Sequence, residues 1–254
     1  MTLNGRRILV TRPAHQAENL CRLISEQNDI AVRFPTLAIV EVDNLVTVKQ
    51  TLAHLEAFDW LIFISSNAVN FALKANDGKI ARLKTRQIAA IGKATADALN
   101  LAGLSVSALP ERNYNSEALL ALPIMHAVDG QKILIIRGES GREVLANTLH
   151  ARGADVCYLN VYKRIIPNSN SNAVSDLLEQ RQLDVITATS SEILQNLLTM
   201  LDAKHHSQLF DLLLIVVSDR IKQVANEMGF KRVAVARSPS DEAILEIIKQ
   251  RTGE

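Results

Sequence analysis

Short, unbroken apolar runs separated by amphipathic stretches set the rhythm of this 254-residue chain. Runs at 8–11, 60–64, 87–91, 133–136, 184–188, 212–217 and 232–236 lack alternating polarity, so they read as strands covered on both faces. Helical spacing follows over about 16–27, 67–75, 93–102, 116–122, 141–152, 191–201, 219–228 and 241–251. Ser and Asp stand near several helix starts, where a side-chain oxygen accepts an unpaired backbone N–H. Gly103, Gly153 and Gly229 fall where helices should stop. Strand and helix alternating in this order predict an α/β fold of parallel sheets flanked by helices.

The pattern repeats at a separation of about 125 residues. Ile8-Leu-Val-Thr-Arg12 resembles Ile133-Leu-Ile-Ile-Arg137, and helical patterns holding Glu18 and Leu20, or Glu143 and Leu145, follow. Asp59-Trp-Leu-Ile-Phe-Ile-Ser-Ser66 lies without a gap on Asp184-Val-Ile-Thr-Ala-Thr-Ser-Ser191. Gly92 matches Ser218 after a one-residue slip, Gly103 matches Gly229, and Ser116-Glu-Ala-Leu-Leu120 matches Asp241-Glu-Ala-Ile-Leu245. Common order and a steady offset predict two related halves. Two extended segments, 34–42 and 158–165, break the alternation at equivalent points, and the polar stretch 167–172 reads as a loop.

Charge and composition narrow the function. Lys and Arg number 28 against 27 Asp and Glu, so no general drive exists towards nucleic acid or an anionic membrane. An aromatic content of 4% gives no stacking platform for single strands. Cys21 and Cys157 form neither a disulfide framework nor a metal set, and the His205-His206 pair reads as a solvated loop. No long apolar run and no leader precede Ile8, so a cytoplasmic protein is expected. Dinucleotide, P-loop and nucleophile-elbow motifs are missing, and with no compact His, Cys and carboxylate cluster no metal is expected.

Chemistry concentrates at the strand ends. Ser65, Ser66 and Asn67 in one half, and Ser190 in the other, sit between strand and helix, where hydroxyls and free N–H groups suit a carboxylate or phosphate. Plain helix capping is the alternative use of each. Arg12 and Arg137 close matching strands, and a guanidinium can grip a carboxylate through two parallel bonds, or else serve a surface ion pair. Lys93 and Thr95 follow the strand ending at Gly92, Arg220 lies near the corresponding location in the other half, and Ser218 aligns with Gly92. Tyr162 breaks the internal symmetry. Its phenol, with an ordinary pKa of about 10, suits proton donation at neutral pH, unless it simply packs a connector.

Taken together, the strings Ile8-Leu-Val-Thr-Arg-Pro13, Phe63-Ile-Ser-Ser-Asn-Ala-Val69, Ala89-Ala-Ile-Gly-Lys-Ala-Thr-Ala-Asp-Ala-Leu99, Leu109-Pro-Glu-Arg-Asn-Tyr-Asn-Ser-Glu117, Ile133-Leu-Ile-Ile-Arg-Gly-Glu139 and Val161-Tyr-Lys-Arg164 resemble the uroporphyrinogen-III synthase family. The resemblance implies two similar lobes joined by a two-stranded linker. Residues 1–36 with 168–254 would form one lobe, 43–158 the other, and 37–42 and 159–167 the linker strands, with the substrate bound in a cleft between lobes. It implies a cofactor-independent hydro-lyase that cyclises hydroxymethylbilane with inversion of the terminal pyrrole and loss of water. Tyr162 matches the family's connector tyrosine and is the expected catalytic residue. Arg12, Ser65, Ser66, Lys93, Thr95, Arg137 and Ser190 are expected substrate contacts, supported by Asn67 and Ser218. A monomer is expected, with transient handover from hydroxymethylbilane synthase and no nucleic-acid or membrane partner. A non-catalytic two-lobed module binding a small polyanion carries nearly the same sequence signals, whereas a flavin protein lacks an aromatic pair around the polar turns.

Overall fold

A computed structural model describes residues 5–78, 80 and 87–252. In chain order the first elements are β1 (Arg7–Val10), α1 (Ala14–Ser25), β2 (Ile30–Arg33), β3 (Ala38–Glu41), α2 (Leu45–Ala53), β4 (Trp60–Phe63), α3 (Ser66–Ala75), β5 (Gln87–Ala90), α4 (Lys93–Leu101) and α5 (Ser116–Leu120). There follow β6 (Lys132–Gly138), α6 (Val144–Ala151), β7 (Asp155–Ile165), α7 (Asn172–Glu179), β8 (Val185–Ala188), α8 (Ser191–Met200), α9 (His206–Asp211), β9 (Leu213–Val216), α10 (Asp219–Met228), β10 (Arg232–Val235) and α11 (Asp241–Thr252). The chain divides into unit 1, Met1–Ala38 with Ile165–Glu254, and unit 2, Ile39–Arg164.

Unit 1 holds a sheet in the order β10-β9-β8-β1-β2, with all four pairings parallel. One face packs Leu9, Ile186, Leu214 and Val216 against helices α7 to α10. The other packs Ile8, Val10, Val185 and Ile215 against α1 and α11. Burial on both faces explains why these strands read as continuous apolar runs. Thr11 and Thr187 are the polar exceptions. Their hydroxyls bond across the sheet, Thr11 Oγ1 to the Thr187 carbonyl at 2.5 Å and Thr187 Oγ1 to the Leu9 carbonyl at 3.2 Å, so neither is left unpaired in the core.

Unit 2 repeats the plan, in the order β3-β7-β6-β4-β5. Its pairs β7–β6, β6–β4 and β4–β5 are parallel. Leu61, Phe63, Leu134, Ile136 and Tyr162 face one layer of helices, whereas Trp60, Ile62, Ile133 and Ile135 face the other. The internal repeat is structural. Ile8 pairs with Val185 as Ile133 pairs with Trp60, and Val10 pairs with Arg33 as Ile135 pairs with Tyr158. The two outer edges differ: where unit 1 has β10 beside β9, unit 2 has a single bridge between Ala89 and Ala108, and unit 2 adds β3 beyond β7 where unit 1 ends at β2.

Gly103, Gly153 and Gly229 all take positive φ at or just beyond helix ends. At Gly153 the requirement is double, because a Cβ would also collide with Asp129 Oδ1. The His205-His206 pair corrects the expectation of a solvated loop. His205 ends a short 3-10 turn and is only 2% exposed, while His206 opens α9 and turns its Nε2 towards the carbonyls of Leu198 and Leu201. Two adjacent histidines look hydrophilic in sequence, but here His206 meets helix-end carbonyls, while the buried His205 Nε2 has no hydrogen-bond partner among the described residues and lies 3.7 Å from Glu179. Among the described residues no helix is long and apolar enough to cross a membrane, and no group of three or more His, Cys, Asp or Glu side chains is placed to hold a metal.

Candidate active site

All the candidate residues except Tyr162 lie where a strand gives way to a helix, the edge at which parallel sheets take their ligands. In unit 2, β4 runs into α3 through Ser65. Its Oγ accepts the Ala68 N–H at 3.1 Å, so it caps the helix. The same oxygen lies 3.2 Å from the Tyr162 hydroxyl, and either group can donate. Ser66 and Asn67, half-buried, form the first turn of α3. On the neighbouring strand, Lys93 opens α4 and is exposed, while Thr95 is buried. The N-cap of α4 is Gly92, which has no side chain to offer its first turn.

Tyr162 is 3% exposed, with its ring centroid 5.7 Å from that of Phe71. A register shift between Arg137 and Gly138 aims it. Arg137 pairs with Asn160 but Gly138 pairs with Tyr162, so Val161 is the extra residue on β7. Strict alternation would send consecutive residues to opposite faces, yet Val161 and Tyr162 both join the same core. The ring rests on bare backbone: a Cβ at Gly138 would lie 2.6 Å from its Cε2 and 2.8 Å from its Cζ. The Tyr162 carbonyl, in turn, accepts the Glu139 N–H at 3.0 Å.

Arg137 lies on the opposite face of that sheet. It is 4% exposed; Nε donates to the Gly138 carbonyl at 3.1 Å, Nη1 to Glu143 Oε1 at 3.1 Å, and the guanidinium stacks 4.5 Å above the Tyr158 ring. The Tyr158 hydroxyl donates to the other Glu143 oxygen at 2.5 Å. Arg137 and Tyr158 border a cavity of about 310 Å³ shared with Tyr114, Ser116 and Arg142. Sequence reading found Arg137 but not Tyr158, Glu143, Gly138 or Ser116. The signals it held were the alignments of Ser116 with Asp241 and of Glu143 with Glu18.

In unit 1, Arg12 follows β1 and pairs with Asp241 at 2.5 Å, inside a pocket that leaves the two side chains 10% and 14% exposed. Its Nε and Nη2 are buried without a hydrogen-bond partner among the described residues. Ser190 and Ser218 cap α8 and α10, accepting the Ile193 and Ile221 N–H groups at 3.2 and 3.4 Å. The structure thus joins Ser65 with Tyr162 in a direct bond, and sets Arg137 apart from them on the other face of the sheet.

Partial burial, then the bond to the Glu143 carboxylate and its charge, push the Tyr158 pKa up to about 12. The unfolded chain gives up this proton at about pH 10 and the folded chain holds it, so the stabilisation is complete below pH ~10 and is lost as pH rises through the folded value. Ultraviolet titration should therefore show a tyrosine phase near pH 12 that Tyr158→Phe removes. A high-pH titration left unchanged by Tyr158→Phe would contradict the bond. From the other side, the Tyr158 hydroxyl and then Arg137 hold the Glu143 carboxyl below the usual carboxylate range.

The family model described as uroporphyrinogen-III synthase HemD matches residues 18–246. Uroporphyrinogen-III synthase of Escherichia coli is 32% identical over 246 residues, spanning 95% of this chain and 99% of that protein. The synthase of Proteus mirabilis is 30% identical over 193 residues, 76% of this chain and 97% of its own. Among solved structures, a mutant uroporphyrinogen III synthase of Thermus thermophilus aligns with a TM-score of 0.66 at 15% identity, covering 98% and 99% of the two chains. The uroporphyrinogen-III synthetase of Helicobacter pylori aligns at 0.57 with 18% identity, covering 97% and 99%. At those identities the structures speak for the two-lobed fold alone; the match along the sequence is what shows that the chain belongs to the uroporphyrinogen-III synthase family.

Proposed function

We propose that the chain is a cofactor-independent lyase that closes hydroxymethylbilane, a linear tetrapyrrole, to the type III macrocycle with loss of water. The observation that carries this reading is the hydrogen bond between the buried Tyr162 hydroxyl and Ser65, at the start of α3. Tyr162 gives its proton to the terminal hydroxyl of the substrate, so the C–O bond breaks with water as leaving group and an electron-poor azafulvene remains. Ser65 then donates a hydrogen bond that stabilises the phenolate, keeping its own proton. The substituted carbon of the last pyrrole attacks, forming a C–C bond and a spiro centre. Fragmentation and re-closure invert that ring, and the proton lost as it regains aromaticity replaces the one Tyr162 gave. No enzyme nucleophile is needed, because the pyrrole is itself nucleophilic. Holding the chain folded back and keeping water from the cation are the protein's remaining tasks.

Eight carboxylates on the substrate need partners. Ser65, Ser66, Lys93, Thr95, Arg137 and Ser190 supply them, with Asn67 and Ser218 in support, and Arg12 adds the guanidinium nitrogens that Asp241 does not engage. Each unit provides a share, and hydroxyls and backbone N–H groups take part of the load, which agrees with a net charge of only +1. Arg137, on the far face from Tyr162, contacts a peripheral arm and not the reacting ring. The chain acts as a monomer in the cytoplasm. Its substrate closes unaided to the type I isomer, so direct handover from hydroxymethylbilane synthase limits that loss.

The test is incubation with freshly generated hydroxymethylbilane and chromatographic separation of the isomers. Type III product in excess of an enzyme-free control is expected. The same ratio with and without protein would leave only a binding module.

A further inference from the structure

The two units carry the same strand-end arginine in different company. In unit 1, Asp241, the first residue of α11, places a carboxylate 2.5 Å from Arg12 Nη1 and takes a second bond from Asn19 at 2.8 Å. Nearby, Glu18 is occupied by Arg33 at 2.8 Å. The internal repeat puts Arg137 at the place of Arg12, Glu143 at that of Glu18, Tyr158 at that of Arg33 and Ser116, first residue of α5, at that of Asp241. The carboxylate that answers Arg12 therefore has no counterpart over Arg137. In its place is open volume, about 310 Å³, bordered by Arg137, Arg142, Ser116, Tyr114 and Tyr158 and floored by isoleucines.

Arg137 has N–H groups to spare. One goes to the Gly138 carbonyl and one to Glu143, and the rest have no hydrogen-bond partner among the described residues. Glu143 is about half exposed, as is Glu117, which pairs with Arg142 at 3.2 Å. Water screens both acids, so neither neutralises the cavity as Asp241 neutralises Arg12. The lining itself contains two cations and no acid. Its apolar floor and tyrosine rings suit methylene groups, and a planar guanidinium suits a carboxylate.

We infer that this cavity is a subsite for one carboxylate arm of the substrate, an acetate or propionate on its short stem, which takes the place over Arg137 that Asp241 fills over Arg12. The inference rests on the tetrapyrrole reading. It makes unit 2 the half in which the position equivalent to Asp241 carries no anion, so that the ligand can supply one.

Ser116→Asp restores the missing carboxylate and favours helix initiation, so the variant should fold. The whole chain would be titrated with sodium propionate at constant ionic strength while the Arg137 Nε–H resonance is followed. A saturable shift is expected in the wild type and none in Ser116→Asp. With hydroxymethylbilane, Ser116→Asp should raise KM about tenfold, the size of losing one charged contact. Ser116→Asn separates bulk from charge and should lose far less. Asn100→Asp, which adds charge at an exposed site on the same unit, should leave KM unchanged. No propionate shift in the wild type, an equal shift in Ser116→Asp, an unchanged KM in that variant, or an equal loss in Ser116→Asn would each overturn the subsite. A saturable propionate shift in a chain that makes no type III product would support the anion site while refuting the tetrapyrrole reading.

Discussion

Tyr162→Phe should slow type III ring closure by about a hundredfold or more, the usual range for removing a positioned proton donor. Phenylalanine keeps the ring against Phe71 and over Gly138, so the core of unit 2 loses no volume. What disappears is the hydroxyl and its bond to Ser65. Loss of one neutral bond should lower stability by only about 1 kcal/mol. A single-turnover assay of isomer formation, beside a urea melt of the same preparation, separates the two effects. If the hydroxyl only orients substrate, KM will rise with little change in kcat; a donor lost at the transition state lowers kcat. Wild-type rate and isomer ratio in a folded variant would remove Tyr162 from the mechanism.

The second large effect concerns stability. Asp241→Ala should cost about 3 kcal/mol, because it strands the Arg12 guanidinium in a pocket where two of its nitrogens already have no hydrogen-bond partner among the described residues. The urea midpoint should fall with an unchanged slope, as for loss of stability without loss of cooperative unfolding. Glu18→Ala is the internal contrast. It removes the acid from an exposed pair with Arg33, 48% and 76% accessible, and should hardly move the midpoint. Equal shifts in the two variants would mean that burial does not govern these pairs.

What could be read in advance divides along physical lines. Strands such as β4, β8 and β9 were legible to within a residue or two, since burial on both faces leaves an unbroken apolar signature. The short outer strand β2, Ile30–Arg33, escaped because its mixed, partly exposed residues carry no such signal. Helix α2, Leu45–Ala53, was hidden by β-branched residues; the cap at Asn44 and burial of Val48 and Leu52 decide it. Ser65 and Ser190 were found because a hydroxyl at a strand-to-helix junction is a local pattern. Bringing Tyr162 to Ser65 depends on a one-residue bulge in a long strand, and no periodicity announces that. The pairing of Ser116 with Asp241 stood in the aligned halves, but its meaning needed the ion pair and the open volume to be seen together.

The path of the backbone has a consequence for synthesis. All of unit 2, Ile39–Arg164, is synthesised before Ile165–Glu254, the larger segment of unit 1. β1, whose inner neighbour is β8, must wait for residues from Val185 onwards before its central position in the sheet can form. Unit 2 can thus complete its own hydrogen-bonded layers while β1 has at most β2 for company, an apolar ribbon exposed during translation. Nascent chains stalled between these points are where aggregation, or a chaperone's grip, would fall.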